Sequence, residues 1–456
     1  MSVSVIILAA GKGTRMYSFL PKVLHCVGDK PLLQHVIDAA RTLQPDTINV
    51  VYGHCGEAVV NQISEPDIVW VEQLEQLGTG HAVKQALPDI EDTATVLVLY
   101  GDVPLITETT LRKLIIQAEQ GGLAVLTALM NEPTGYGRMI RDSNGKLVGI
   151  VEEKDATDDQ RSINEINTGF LACNAGKLKS WLSQLTNNNA QGEYYLTDIV
   201  ALAAKENTKI SSSLADNLFE IQGINDRQQL AIIERHFQKC CAEKLMHSGV
   251  TLADPARFDL RGELNTGQDC FIDINAVFSG KVTLGNGVHI EPNCIIKDAS
   301  IEDGVYIKAN TVIDNAYIGK QSIIGPFARI RPETVLDERV HIGNFVEIKK
   351  SNIQAGSKVN HLSYIGDTEM GSDVNVGAGT ITCNYDGANK HLTRIGDNVF
   401  IGSDSQLIAP VTVNDGSTIG AGSTITKDTP ASELTLSRAP QQTIMGWIRP
   451  RKAGKK

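Results

Sequence analysis

The chain has 456 residues, and its 42 basic against 53 acidic side chains give a net charge of 42 − 53, or −11, with His neutral. At roughly 150 residues per domain this length predicts about three domains, and the acidic balance argues against a nucleic-acid partner. Eight cysteines without a CxxC pair argue against a disulfide scaffold and against a cysteine metal site, so we expect a cytoplasmic protein.

The amino-terminal half alternates short apolar runs with amphipathic stretches. The runs that predict strands lie at residues 3–8, 48–51, 68–71, 96–99 and 123–129, and a stretch that predicts a helix lies at 32–43. This alternation predicts a mostly parallel sheet covered by helices, in which ligands bind beyond the carboxyl ends of strands. The first run is too short for a membrane span of ~20 residues, and no base precedes it, so we interpret it as a buried strand rather than a signal peptide.

A helix is predicted between the two halves of the chain. Over residues 226–246 apolar side chains recur at helical spacing, with Asp226 as a helix cap and Gly249 as a stop. We therefore expect an amino-terminal domain over residues 1–226, a linker helix over 227–249 and a carboxyl-terminal domain over 250–456. Residues 438–456 carry six bases and no acid, which we interpret as a solvated tail.

After about Gly262 an apolar residue returns at every sixth position, with a few five-residue slips. The series is Ile272, Phe278, Leu284, Ile290, Ile296, Ile301, Ile307, Ile313, Ile318, Ile324, Ile330, Leu336, Ile342, Ile348, Ile353, Val359, Ile365, Met370, Val376, Ile395, Ile401, Leu407, Val413, Ile419 and Ile425. This period predicts a hexapeptide-repeat β-helix, with three units per coil and the apolar residues stacked inside. Residues 382–394 break the period, so we expect them to leave the solenoid as a loop that builds a binding surface.

A glycine-rich loop follows the first strand. Gly11 and Gly13 allow backbone N–H groups to approach phosphate oxygens, and Arg15 and Lys22 add positive charge. The loop is not a Walker motif, and it lacks the third glycine of a dinucleotide-binding loop. We interpret it as a phosphate-binding loop.

The motifs LAAGKGTRM at 8–16, PKVLH at 21–25, QLEQLGTGHA at 73–82 and YGDVP at 100–104 resemble those of nucleoside-triphosphate sugar-phosphate nucleotidyltransferases. Together with the β-helix, the whole chain resembles the bacterial bifunctional N-acetylglucosamine-1-phosphate uridyltransferase / glucosamine-1-phosphate acetyltransferase family. The resemblance implies an α/β fold: a Rossmann-like, mostly parallel sheet, a long linker helix and a left-handed parallel β-helix.

The resemblance also implies two reactions and their co-substrates. Acetyl-CoA would acetylate glucosamine 1-phosphate, and UTP with Mg²⁺ would then uridylylate N-acetylglucosamine 1-phosphate and release pyrophosphate. The product, UDP-N-acetylglucosamine, would serve peptidoglycan and lipopolysaccharide synthesis. The implied assembly is a homotrimer with acetyl-transfer sites between subunits, and neither nucleic acid nor membrane is an implied partner.

For uridylyl transfer, the resemblance assigns residues to each part of the substrates and to the metal. It assigns the phosphates to Leu8, Ala9, Ala10, Gly11, Arg15 and Lys22, and the uracil to Gln73, Gly78 and Thr79. It assigns the sugar to Gly137, Glu152 and Asn167, and Mg²⁺ to Asp102 and Asn225. Tyr100, Gly101 and Asp102, at a neighbouring strand end, are also assigned to the nucleotide-sugar site. Oxygen ligands in small number, completed by phosphate and water, suit Mg²⁺. Thr79 is equally interpretable as a helix cap.

The repeat itself places Arg331 and Lys349 at equivalent positions one coil apart, about 4.8 Å from each other at their attachment points. A phosphate between these two cations, or two side chains diverging into solvent, would each explain them. The resemblance assigns His361 as the general base, which suits an imidazole with its ordinary pKa near ~6.5. It also assigns glucosamine 1-phosphate to Arg331, Lys349, Tyr364, Asn375 and Lys390, and acetyl-CoA to Ala378, Asn384, Tyr385, Ser403, Ala421 and Arg438.

Two other functions remain open from the residues. A nucleotidyltransferase with a purely structural or regulatory β-helix would not need His361 or the 382–394 loop. A non-catalytic assembly subunit would not need Lys22, Asp102 and Asn225, and all three are present.

Overall fold

The computed structural model describes residues 2–53, 56–450 and 452. The chain divides into two compact units, Met1–Gln238 and Lys239–Lys456. In the predicted solvated tail, residues 438–450 are exposed, as expected. Residues 451 and 453–456 of the tail lie outside the described residues.

The α-helices are short in the first unit and long at its end. They span Leu32–Arg41, Gly56–Gln62, Thr79–Ala86, Glu108–Glu119, Asp158–Arg161, Ala175–Ser183, Ile199–Lys205 and Arg227–His247. Single 3₁₀ turns span Thr14–Met16, Lys22–Leu24, Leu196–Asp198, Leu218–Ile221 and Pro255–Arg257. No helix in the described ranges has the length and hydropathy needed to cross a bilayer.

The first unit is built on a mixed, mostly parallel sheet. Its strand order is Lys209–Leu214, Gly122–Leu129, Glu165–Asn174, Thr95–Tyr100, Val3–Leu8, Thr47–Tyr52 and Ile68–Glu72. The strand Arg138–Arg141 pairs with Glu165–Asn174 and with Leu147–Val151. Cys26–Val27 and Lys30–Pro31 form a separate two-stranded sheet. Glu165–Asn174 is antiparallel to both neighbours, whereas the other pairs along the order are parallel. Alternate side chains, such as Ile6 and Ile7, enter the two apolar layers on opposite faces.

Register brings the ends of four strands to one edge of this sheet. Leu8 pairs with Val51 on one side and with Tyr100 on the other, and Tyr52 pairs with Glu72. The loops that follow these strands therefore start side by side. They carry the glycine-rich loop, Asp102 and Gln73, as expected for ligand sites in parallel sheets.

The Arg227–His247 helix contributes to an apolar core in each unit. Asp226 Oδ1 accepts from Gln229 N at 2.8 Å, which is the predicted cap, and Gly249 has the left-handed φ of +99° expected of a stop. Ile233 is fully buried in the first unit, and Leu245 is 9% exposed in the core of the second.

The second unit is a parallel β-helix. One ladder contains Thr251–Leu252, Phe271–Ile272, His289–Ile290, Tyr306–Ile307, Ile323–Ile324, His341–Asn344, Lys358–His361, Asn375–Val376, Phe400–Ile401, Thr418–Ile419 and Leu434–Thr435. The second sheet contains Phe258–Thr266, Ala276–Leu284, Ile295–Lys297, Ser300–Ile301, Val312–Asp314, Ala316–Ile318, Arg329–Ile330, Thr334–Leu336, Glu347–Ile353, Tyr364–Met370, Ile381–Cys383, Thr393–Ile395, Gln406–Ile408, Val411–Val413 and Thr424–Ile425. Its longer strands turn a corner: Ala276–Leu284 pairs with Ile295–Lys297 through its first part and with Ser300–Ile301 through its last.

The predicted repeat residues form the core of the β-helix. All twenty-five apolar positions of the series are at most 3% exposed, and neighbours in the ladder, such as Ile330 with Ile348 and Ile348 with Ile365, are in register. Each coil covers the apolar face of the next, so burial does not depend on helices packed outside. The expected α/β sheet followed by a parallel β-helix is confirmed.

Candidate functional site

A cavity of about 400 Å³ lies at the strand-end edge of the first unit. The predicted residues that line it are Leu8, Ala9, Ala10, Gly11, Lys22, Gln73, Gly78, Thr79, Tyr100 and Asp102. The glycine-rich loop is bent sharply here, because Gly13 has a left-handed φ of +58° and a Cβ in its place would lie 2.6 Å from Lys22 Cβ. The close approach brings the Lys22 side chain against the loop.

Lys22 joins the two residues that the sequence assigns to the metal. Its Nζ lies 2.5 Å from Asp102 Oδ2 and 3.2 Å from Asn225 Oδ1. Asn225 is held in turn by Gln229, whose Oε1 accepts from Asn225 N at 2.7 Å, and Ile224 N donates to Asp102 O at 3.0 Å. Two positions 123 residues apart in the sequence (225 − 102) thus meet around one positive charge.

The donor set fits Mg²⁺. Asp102 and Asn225 direct one carboxylate oxygen and one amide oxygen at the same point, and hard oxygen donors in small number, with phosphate and water, are what Mg²⁺ takes. Within residues 2–53, 56–450 and 452, no cluster of three or more His, Cys, Asp and Glu side chains could hold a metal by itself. A metal here would depend on substrate phosphates for its remaining ligands.

Gln73 and Thr79 line the cavity, but Thr79 is not a helix cap. Gly78 occupies the cap position of the Thr79–Ala86 helix, and Thr79 Oγ1 instead accepts from Leu196 N at 3.1 Å. Gln73 is 4% exposed and its Nε2 donates to Gly78 O at 3.3 Å. These contacts hold the segment after Ile68–Glu72 in a fixed shape.

The three predicted sugar-binding residues lie together. Asn167 N donates to Gly137 O at 2.8 Å, and a Cβ on Gly137 would come within 3.4 Å of Glu152 Oε2. Burial raises the pKa of the Glu152 carboxyl, although Thr197 Oγ1 donates to its Oε1 at 2.8 Å and opposes the shift. Burial, with the charges of Glu152 and Asp102, also raises the pKa of Tyr100, which places these three side chains in one electrostatic environment.

Arg15 and Gly101 are two predicted residues outside the cavity lining in the described chain. Arg15 is exposed on the Thr14–Met16 turn, whereas Gly101 is buried beneath the site, where its N donates to Leu8 O at 2.9 Å. The lining also contains residues that were not predicted: Lys12, Val23, Gln76, Ala82 and Glu193. Lys12 and Gln76 lie inside the quoted motifs, and Gln76 Nε2 donates to Ala10 O at 3.0 Å; nothing in the sequence singles out Glu193.

In the β-helix, Arg331 and Lys349 are each neutralised by a carboxylate from the next coil. Arg331 Nη1 lies 2.7 Å from Glu347 Oε1, and Lys349 Nζ lies 3.7 Å from Asp367 Oδ2. Lys390 lies close to this pair: the nearby Lys349 lowers the pKa of the Lys390 amine, and the charge of Asp367 opposes that shift. Two ammonium groups brought together at a loop base are arranged to accept an anion.

Asp367 links this cluster to the predicted loop residues. It is 8% exposed, and Asn384 Nδ2 donates to its Oδ2. The same Asn384 amide lies 3.4 Å from the Tyr364 hydroxyl. Tyr364 and Asn384, predicted for different substrates, therefore meet over one carboxylate that the sequence analysis did not single out.

The repeat-breaking segment is a closed hairpin rather than an open loop. Tyr385 and Lys390 form an antiparallel bridge, and the Asp386 carboxylate accepts from Asn389 N at 2.6 Å and from His391 Nε2 at 2.7 Å. These hydrogen bonds hold the pKa of the Asp386 carboxyl well below its usual range. The hairpin places Lys390 beside Lys349.

His361 ends the strand Lys358–His361, where its ring is exposed. Its Nδ1 lies 3.0 Å from Asn344 Oδ1 on the preceding coil. Asn375 begins the following strand of the same ladder, in register with Lys358, and is half-buried. The predicted base is thus at a corner of the solenoid next to the strand that carries a predicted sugar-binding residue.

The predicted acetyl-CoA residues continue along that corner. Gly379 N donates to His361 O, Asp404 N to Ala378 O and Gly422 N to Ser403 O, and these three hydrogen bonds join four successive coils. Cβ atoms on Gly377 and Gly402 would lie 2.5 Å from Ser403 N and 2.4 Å from Ala421 N, so only glycine permits this stacking. Arg438 Nη1 donates to Ala421 O at 2.7 Å and closes the row.

Glu333, in the turn that follows Arg331, has a left-handed φ of +62°, the region that favours glycine. Its Oε2 lies 3.5 Å from Lys350 Nζ.

Comparisons with known proteins match both units of the chain. The profile of the MobA-like NTP transferase domain matches residues 5–162, that of the GMPPB C-terminal domain matches 260–344, and that of the bacterial transferase hexapeptide (six repeats) matches 392–427. Proteins named Bifunctional protein GlmU from Idiomarina loihiensis and Marinobacter nauticus are 54% identical over 450 residues and 55% identical over 449 residues. The alignments cover 99% and 98% of this chain and 99% of each relative. Since such identity runs through both units, the resemblance inferred from the motifs is confirmed, and the chain belongs to the family of bifunctional GlmU proteins.

Proposed function

We propose that the chain makes UDP-N-acetylglucosamine in two steps. The second unit acetylates glucosamine 1-phosphate from acetyl-CoA, and the first unit uridylylates the N-acetylglucosamine 1-phosphate formed. The observation that carries this proposal is that ten of the residues predicted for uridylyl transfer line the strand-end cavity, while residues predicted for acetyl transfer follow His361 along one corner of the β-helix.

Acetyl transfer begins when the amine nitrogen of glucosamine 1-phosphate attacks the thioester carbonyl carbon. The N–C bond forms, the C–S bond breaks, and His361 takes the amine proton and passes it to the departing thiolate of CoA. Arg331, Lys349 and Lys390 provide the positive charge for the sugar phosphate. Glu347 and Asp367 hold the side chains of Arg331 and Lys349 in place until the phosphate arrives. Tyr364 and Asn375 complete the sugar pocket.

The acetyl-CoA binding surface is the corner row that leads away from His361. Ala378, Ser403 and Ala421 lie on three successive coils beyond His361, about 4.8 Å apart, so the row reaches Ala421 roughly 14 Å from the base, and Arg438 lies on the coil after that. A long, flexible pantetheine arm fits such a row of small residues, and Asn384 with Tyr385 borders it at the hairpin. Arg438 supplies charge for the CoA phosphates.

In uridylyl transfer, a phosphate oxygen of the sugar attacks the α-phosphorus of UTP, a P–O bond forms and pyrophosphate leaves. No protein nucleophile is needed, so positioning and charge neutralisation do the catalysis. The loop of residues 8–11 and Arg15 and Lys22 bind the phosphates, Gln73, Gly78 and Thr79 bind the uracil, and Gly137, Glu152 and Asn167 bind the sugar. Tyr100 and Gly101 shape the floor of the cavity.

Mg²⁺ would be held by Asp102 and Asn225. When bound, it would neutralise phosphate charge in the transition state. Lys22 Nζ lies beside both oxygens and would supply positive charge to the substrate phosphates.

We further propose a cytoplasmic homotrimer with the domain limits 1–226, 227–249 and 250–456. An exposed apolar row supports the trimer: the Phe327 and Phe345 rings stack 5.2 Å apart on successive coils, and Leu362, 64% exposed, lies beside His361. Side-by-side packing of β-helices would cover this row and bring a second chain to the acetyl-transfer site. Light scattering on the purified chain checks this, with three times the chain mass expected.

Two single-site variants test the two activities. CoA thiol release is followed with acetyl-CoA and glucosamine 1-phosphate, and pyrophosphate release with UTP, Mg²⁺ and N-acetylglucosamine 1-phosphate. His361→Ala should lose about 10²–10⁴-fold in thiol release only, and Asp102→Asn should lose pyrophosphate release only. A wild-type chain that releases pyrophosphate but no thiol would show that the β-helix is structural.

A further inference from the structure

The contact between His361 and Asn344 is a direct consequence of the coil register. Asn344 and His361 are paired positions at the ends of neighbouring parallel strands, 17 residues apart. His361 Nδ1 lies 3.0 Å from Asn344 Oδ1, and Leu362 N donates to the Asn344 backbone carbonyl at 3.1 Å. Leu362, the residue after His361, is therefore hydrogen-bonded to the same asparagine.

The chemistry of this pair decides where the proton of the imidazole lies. An amide oxygen only accepts hydrogen bonds, so the ring nitrogen that faces it must carry hydrogen. A neutral imidazole has a single N–H. With that hydrogen on Nδ1, the lone pair is on Nε2, the nitrogen on the opposite side of the ring.

We propose that Asn344 is a positioning residue that holds His361 in the Nδ1-protonated tautomer, so that Nε2 is the atom that takes the proton of the substrate amine. This inference rests on the proposed role of His361 as the base. As Nε2 accepts the proton, the Nδ1–H of the imidazolium continues to donate to Asn344 Oδ1, and no second proton moves. The proton on Nε2 then leaves with the CoA thiolate.

A neutral acceptor suits this position because it orients the ring without adding charge. The ionisable neighbour is His341, at the start of the strand that Asn344 ends. Burial lowers the pKa of His341, and the charges of Lys308, Lys358 and His361 lower it further. The lowered pKa favours the neutral form of His341, and the Asn344 amide orients the His361 ring without adding a second base.

The tautomer can be measured without any assay of activity. In long-range ¹H–¹⁵N spectra of ¹⁵N-histidine-labelled protein near neutral pH, the His361 signals are identified by their loss in His361→Ala. We expect a protonated Nδ1 and an unprotonated Nε2 in the wild type. A wild-type spectrum with hydrogen on Nε2 overturns the proposal whatever the variants do.

Variants of Asn344 separate positioning from structure. Asn344→Leu is close in size but has no acceptor, so we expect mixed tautomers of His361. We also expect at least a tenfold lower kcat for acetyl transfer, within the ~10²–10⁴-fold rate contribution of a general base. KM for glucosamine 1-phosphate should not change. Asn344→Asp keeps an acceptor and should restore the tautomer and most of kcat. Gln354→Leu, which removes the Gln354 Oε1 contact with Ser372 Oγ at 3.2 Å across another face of the solenoid, should leave both readouts as in the wild type.

The outcomes distinguish this inference from the function on which it rests. If His361→Ala retains thiol release, the proposed base is wrong and Asn344 has no role through it. If His361→Ala loses thiol release while Asn344→Leu keeps the kcat or the tautomer of the wild type, the base stands and the positioning role is rejected. A lower kcat that Asn344→Asp fails to restore also rejects it.

Discussion

At the residue scale, Lys22 is the charge that assembles the uridylyl-transfer site. Its side chain is 12% exposed and that of Asp102 is 17% exposed, so the pair is largely shielded from water. A shielded carboxylate that loses its partner is destabilising, since its desolvation is no longer compensated. The ammonium therefore has a structural role as well as a phosphate-binding one.

Lys22→Met should separate these two roles. We expect pyrophosphate release to fall by about 10²–10³-fold because the phosphates lose a cation. We expect stability to fall by about 1–3 kcal/mol because Asp102 is left without its partner. Mg²⁺ should then raise the melting temperature of the variant more than that of the wild type. Lys12→Met, in the same cavity but outside this ion pair, is the control, and an equal response to Mg²⁺ in all three proteins would contradict the argument.

The burial of Glu152 predicts how the stability of the folded chain changes with pH. Its pKa is raised in the folded chain, so the folded state binds a proton more readily than the unfolded state. The stability it contributes is fully present below the unfolded pKa and is lost as pH rises through the folded pKa. Glu152→Gln should therefore gain stability relative to the wild type at pH 8 but not at pH 4 in urea unfolding, and should bind N-acetylglucosamine 1-phosphate more weakly. A pH-independent difference would show that Glu152 is not desolvated.

Sequence motifs located the charged residues at both sites but not the partners that orient them. Lys22, Asp102 and Asn225 were found by resemblance, whereas Asn344 and Asp367 were not. A partner one coil away is visible in the sequence once the register is known: 17 residues before His361 is Asn344. The contact of Lys349 with Lys390 could not be found in this way, because the hairpin has no repeat to count.

At the element scale, the hairpin between Thr382 and Arg394 depends on one carboxylate. Asp386 accepts from two backbone N–H groups and from His391, so it organises the turn that presents Lys390. Its depressed pKa means that this organisation is present above the unfolded pKa and is lost as pH falls through the folded pKa.

Asp386→Ala should leave the β-helix core intact and disorder only the turn. We expect a raised KM for both acetyl-transfer substrates, an unchanged rate of pyrophosphate release and a melting temperature within about 2 °C of the wild type, since surface changes have small effects on stability. Asp415→Ala, on a later coil where that carboxylate accepts from Asp397 N at 2.9 Å, is the control for a lost carboxylate–backbone contact. An equal rise in KM in Asp386→Ala and Asp415→Ala would show that the hairpin has no special role in substrate binding.

Strands and helices differ in how far the sequence predicts them. The six-residue period predicts which residues of every coil face the core, because each repeat must bury its apolar residue at the same place. The direction of Glu165–Asn174 was not predictable: a strand buried on both faces has the same apolar pattern whether it runs parallel or antiparallel to its neighbours.

At the scale of the whole molecule, the chain has two units with separate cores. Leu97 is fully buried in the sheet of the first unit and Ile348 is fully buried in the β-helix. Replacing either by Ala should cost about 2–5 kcal/mol in its own unit. In calorimetric scans we expect two heat-absorption peaks, with Leu97→Ala lowering one and Ile348→Ala lowering the other. A single peak that moves in both variants would show one cooperative unit.

The stacked coils also act as a molecular ruler. Each coil adds about 4.8 Å along the axis, so the number of coils between His361 and Arg438 sets how far the donor's anchoring groups lie from the base. Removing one whole coil beyond His361 would shorten that distance by one step and keep every apolar residue inside, whereas removing six residues would turn each later face by a third of a circuit. The length of acyl donor that such a protein accepts can thus change in fixed increments without any change to its core.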